Sequence, residues 1–79
     1  MYGYRYYRFS IGISREQMLD VYAGAIRRFR VRTDEGLVLD IDAEHFRKFT
    51  TEDGISGRFQ LTTTQDNQFV SLEEISSLG

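Results

Sequence analysis

The chain has 79 residues, no cysteine, no proline and a net charge of −2. Without thiols there are no disulfides, no thiolate metal site and no cysteine nucleophile, so the core must hold without staples. No apolar run reaches the roughly 18 residues of a membrane span, and no signal-peptide pattern is present. We read one domain over residues 1–79 and expect it in a reducing cytoplasm. The charge is uneven along the chain. Residues 1–32 hold seven arginines against Glu16 and Asp20, whereas residues 33–79 hold ten acids against three bases. Such asymmetry marks either an anion-binding half or halves that pair with each other.

Residues 5–13 alternate at period two, with Tyr7, Phe9, Ile11 and Ile13 on one face and Tyr6, Arg8, Ser10 and Gly12 on the other. That pattern predicts a half-buried strand. Ser14 and Gln17 have the spacing of a capping box, and a helix follows with Met18, Leu19, Tyr22, Ala25 and Ile26 on its apolar side. Gly24 suits the helix exit.

Residues 26–33 and 37–42 read as a hairpin around Asp34-Glu35-Gly36, a three-residue loop that needs glycine last. This loop sets Thr33 opposite Leu37, Val31 opposite Leu39 and Phe29 opposite Ile41. On the other face it sets Arg32 against Val38, Arg30 against Asp40 and Arg28 against Asp42, so apolar and charged sets both match. Asp42 is placed to cap a short helix, AEHFRKF, with Phe46 and Phe49 on one side. The stretch TTEDGISG reads as a loop, with a turn needing positive φ at Gly54 or Gly57. GRFQLTTT and QFVSL then form a second hairpin across Asp66-Asn67. A two-residue loop there puts Val70 opposite Thr63, Leu72 opposite Leu61, and Phe69 on the face of Thr62 and Thr64. Leu72, Ile75 and Leu78 suggest a closing helical turn.

The element order is strand, helix, hairpin, short helix, hairpin. It predicts an α+β domain: a curved, mainly antiparallel sheet or a small partly open barrel with one main helix. The first strand has no local signal for its place; pairing with the second strand through the helix would be parallel and right-handed.

The segments YYRFSIGISREQ, YAG, VRTDEGLVLDIDAEHFRKF, DGISGRFQL and FVSLEEI resemble an uncharacterised family of short bacterial proteins, known as a domain of unknown function. The resemblance spans roughly residues 6–75 and is most specific from AEHFRKF through DGISGRF. Some members carry a topoisomerase II label, which the resemblance would extend to this chain. Such an enzyme needs a nucleotide-binding domain, an acidic metal site and a DNA-linked tyrosine. Seventy-nine residues without a glycine-rich phosphate loop cannot house those parts. The resemblance supplies no catalytic residue.

His45 is the single histidine. Ser10, Ser14 and Ser71 are available as nucleophiles, but none lies in a nucleophile motif, so a surface position on the short helix is the simpler reading. The acid groups Asp40/Asp42/Glu44, Glu52/Asp53 and Glu73/Glu74 lack cation-loop spacing, and we expect no metal and no cofactor. Arg28, Arg30 and Arg32 line one sheet face about 7 Å apart. With Tyr2, Tyr4, Tyr6 and Arg8 they form the candidate binding surface. The leading expectation is a non-enzymatic protein-interaction module. The alternative is weak single-stranded nucleic-acid binding by this Arg/Tyr face, which the acidic pI near 5.3 disfavours. Self-association is open, since an aromatic strand at a sheet edge invites pairing.

Overall fold

A computed structural model describes residues 3–76 of the chain. The first strand, β1, runs from Tyr4 to Ser14, and helix α1 from Arg15 to Tyr22. Strands β2 (Arg28–Arg32) and β3 (Val38–Asp42) precede a short 3-10 helix, Ala43–Phe49. Strands β4 (Gly54–Thr64) and β5 (Phe69–Ser76) complete the order. The strands form two antiparallel sheets, β1-β4-β5 and β2-β3, in a small α+β arrangement that does not close into a barrel. Among the described residues no helix is long and apolar enough to cross a membrane.

Local chemistry explains most of these elements. Ser14 Oγ accepts from the Gln17 amide at 3.1 Å, and Gln17 Oε1 accepts from the Ser14 amide at 2.9 Å, so the capping box starts α1 as expected. Gly24, at φ +84°, stands two residues past the helix end. The helix buries less than its pattern promised. Met18 is 2% exposed, but Leu19 and Tyr22 are about half exposed, because α1 lays one narrow stripe on the sheet and the pattern was wider than that contact.

The first hairpin takes the expected register throughout, with Arg28↔Asp42, Phe29↔Ile41, Arg30↔Asp40, Val31↔Leu39 and Arg32↔Val38. Gly36 is at φ +91°, and the Thr33 amide donates to the Leu37 carbonyl at 2.8 Å. Asp42 caps the 3-10 helix by accepting from the Glu44 amide at 3.0 Å.

Three points of the sequence reading change. The place left open for the first strand is taken by antiparallel pairing with β4 from Tyr4↔Thr64 to Ser14↔Gly54, so the parallel pairing that a crossover to β2 would have required does not arise. The antiparallel pairing draws Gly54–Gly57 into β4, so the second half of the stretch read as a loop is strand, while residues 50–53 remain a turn. Positive φ is nonetheless required: Gly54 is at +106°, and a Cβ there would overlap the Ile13 carbonyl oxygen.

The third correction concerns the second hairpin. Its loop has three residues, 65–67, closed by the Thr64 amide on the Gln68 carbonyl at 2.9 Å. Asn67, at φ 64°, takes the left-handed position that Gly36 takes in the first loop. Leu61 still faces Leu72, but Thr63 faces Phe69, and Val70 is the extra residue of a bulge. Phe69 therefore leaves the face of Thr62 and Thr64 and stacks flat on His45, with centroids 3.6 Å apart. Leu72 and Ile75 lie in β5 rather than in a helical turn, and Leu78 is outside the described residues.

The core gathers between the three-stranded sheet, the β2-β3 hairpin and the two helices. Phe9, Phe46, Phe59, Met18 and Leu72 are its fully enclosed side chains. Phe46 makes T-shaped contacts with Phe9, Phe29 and Phe59, with ring centroids 6.3, 5.8 and 5.9 Å apart, which suits the quadrupoles of aromatic rings. The short 3-10 helix thus supplies the ring around which the sheets pack.

Candidate functional site

The candidate surface begins on β1. Even-numbered positions point away from the core because Tyr7, Phe9 and Ile13 fill it. Tyr4 and Tyr6 are 56% and 55% exposed on that outer face. Arg8 continues the row and donates from Nε to Gln60 Oε1 at 3.0 Å. Tyr2 lies outside the described residues.

A bridge between Phe9 and Thr33 joins the two sheets, and the Asp34 amide donates to the Arg8 carbonyl at 2.8 Å. Phe9 and Thr33 are both buried, so their neighbours Arg8 and Arg32 emerge on the same outer side. The structure therefore brings the β1 tyrosines and the β2 arginines to one side of the molecule, as two patches with the Asp34-Glu35 turn between them. Tyr6, Arg8, Asp34 and Glu35 line a shallow cleft of about 250 Å³.

The three β2 arginines differ in their company. Arg30 Nε sits 3.2 Å from Asp40 Oδ1, an exposed pair of the kind that contributes about 0–1 kcal/mol. Arg28 faces Asp42 across the hairpin, but Asp42 is engaged in capping the 3-10 helix. Arg32 faces Val38. Among the described residues, Arg28 and Arg32 form no ion pair.

Sequence reasoning missed the Asp34–Arg58 pair. Arg58 reaches across β1 to bind both Asp34 and the Ser10 hydroxyl, the latter at 3.0 Å. The Arg58 hydrogen bond holds the Asp34 carboxyl below its ordinary value, with the Arg58 and Arg8 charges adding to it and desolvation opposing. The same contact raises Arg58. No local pattern announces a pair 24 residues apart.

His45 is half-buried under Phe69 and makes no side-chain hydrogen bond among the described residues. Ser14 is spent on its cap and Ser10 on Arg58, so neither is held against the histidine. Among the described residues no group of three or more His, Asp or Glu is placed to hold a metal ion.

Fold and surface together define a small α+β domain with an open sheet face carrying tyrosine and arginine. The chain belongs to the family described as Protein of unknown function (DUF2835), whose model matches residues 5–75. That description names no activity, topoisomerase or other. No curated protein and no solved structure matches the chain.

Proposed function

We propose that this chain is a non-catalytic, cytoplasmic protein-interaction module that binds through the outer face of β1. The observation that carries this reading is the pair Tyr4 and Tyr6, more than half exposed at period two beside Arg8. Tyrosine and arginine are the side chains that interfaces favour, since both bring large contact area and directed hydrogen bonds. The mixed charge of the face fits a protein better than a polyanion: Asp34 and Asp40 neutralise Arg58 and Arg30 within it. Capture from cell lysate tests this reading, with wild type compared to a Tyr4→Ser/Tyr6→Ser variant. Proteins retained by wild type after nuclease treatment and lost by the variant support it. Identical captures by both sink it.

A second reading is single-stranded nucleic-acid binding. It rests on Arg28 and Arg32, which form no ion pair among the described residues and emerge on the side of the tyrosines. Phosphate contacts weaken steeply with salt. Labelled oligonucleotides binding at low salt and released by moderate salt would favour this reading. No binding at low salt removes it.

A further inference from the structure

We infer that the free edge of β5 is a strand-addition site for an extended, basic peptide segment. Strand β5 is the outermost strand of the larger sheet, and among the described residues nothing pairs with its far edge. The backbone direction there follows from the other side of the sheet. Arg8 uses its carbonyl to accept from Asp34, so its backbone groups turn away from β4. Alternation along antiparallel pairs then turns the groups of Gln60, the partner of Arg8, toward Glu73. Leu72 and Glu74, one step to either side of Glu73, turn their N–H and C=O groups off the sheet. Between the bulges at Val70 and Ile75, residues 71–74 pair in regular register, so the edge keeps the spacing that an added strand needs.

Side chains name the occupant. Glu73 and Glu74 are exposed and form no ion pair among the described residues. Val70 and Ile75 flank them, 44% and 45% exposed. An added strand with Lys or Arg opposite the two glutamates and aliphatic residues toward the flanks complements this edge. A second copy of β5 does not. Antiparallel self-pairing centred on residue 73 or 74 sets the glutamates opposite or diagonal to their own copies. The β1 edge of a second copy is already obstructed at Arg8 by the Asp34-Glu35 turn. This site lies at the opposite edge of the sheet from the tyrosine surface and stands independently of it.

The test uses a synthetic peptide with adjacent lysines for the adjacent glutamates, acetyl-TVVKKVVT-amide, titrated into the labelled protein and followed by amide shifts and hydrogen exchange. Saturable binding that slows exchange at Leu72 and Glu74 is expected. Glu74→Pro removes an outward N–H without breaking the pairing to β4, and should weaken binding at least tenfold. Glu73→Lys/Glu74→Lys, which leaves the backbone edge intact, should do the same and should restore binding to the peptide with Glu in place of Lys. Absence of saturable binding, equal binding by both variants, or shifts confined to Tyr4–Arg8 overturns the proposal. So does concentration-dependent self-association of the protein alone that Glu74→Pro abolishes.

Discussion

At the scale of single residues, two glycines separate backbone handedness from space. Gly36 and Gly54 both have φ in the left-handed range, yet a Cβ at Gly36 meets nothing within 4 Å, whereas at Gly54 it meets the Ile13 carbonyl. Alanine at either position costs about 1–2 kcal/mol for the backbone conformation alone. Gly54→Ala should cost clearly more than Gly36→Ala in urea unfolding, because a strand backbone cannot step aside. Asp34 gives a pH test. Its folded carboxyl is depressed, so its contribution is present above the ordinary carboxylate value and is lost as pH falls through the lowered one. The melting-temperature gap between wild type and Asp34→Asn should therefore hold at neutral pH and close as the solution is acidified below about pH 4. A gap independent of pH would show that the variant acts through the turn and not through the charge. Glycine positions were partly legible in the sequence, since DGISG announced a positive φ. That Gly54 opens a strand was not, because the partner that makes it one, Ser14, lies far away in the chain.

At the scale of elements, the two hairpins explain why sequence reading succeeded once and slipped once. In the first, the Asp34-Glu35-Gly36 loop and the Arg30–Asp40 match agree on one register, and that register is found. In the second, Asn67 does glycine's work inside a three-residue loop, and Val70 bulges out. Neither feature has a local signature as plain as a glycine. The longer loop turns Phe69 to the face of Thr63 and so to His45, and the bulge returns Ser71 and Leu72 to the expected register. Asn67 also accepts from the Tyr7 hydroxyl at 3.0 Å, tying the loop to β1. Asn67→Gly keeps the backbone conformation and removes that bond. Combined with Tyr7→Phe it should show a coupling of about 0.5–1.5 kcal/mol in a double-mutant cycle; simple additivity would mean that the bond contributes nothing. For α1, Ser14→Ala should lose about 0.5–2 kcal/mol by removing one half of the capping box.

At the scale of the whole molecule, the candidate surface exists only because β1 and β2 meet. The row Tyr4, Tyr6 and Arg8 was legible from period two, and the arginine row from the hairpin. Their common side was not, since it depends on the bridge Phe9↔Thr33 between elements that the helix separates. The core depends on a similar convergence. Phe46 sits on a short 3-10 helix yet touches rings from β1, β2 and β4. Phe46→Ala should cost about 3–5 kcal/mol. A chain of 79 residues has roughly 4–12 kcal/mol in total, so the variant should lose a large share of its stability and melt well below wild type. A cooperative melt close to that of wild type would mean that the ring is not the pivot of the packing.

The flat stack of His45 on Phe69 makes the protein its own spectroscopic reporter. The chain has one imidazole, so its ring protons give a single, easily assigned set of signals. Lying over a phenyl face at 3.6 Å, they fall in the shielding cone of the ring current and should resonate well upfield of a free histidine. Because the two rings come from the short 3-10 helix and from the first residue of β5, the size of that shift reads out, without any label, how firmly the second hairpin is seated.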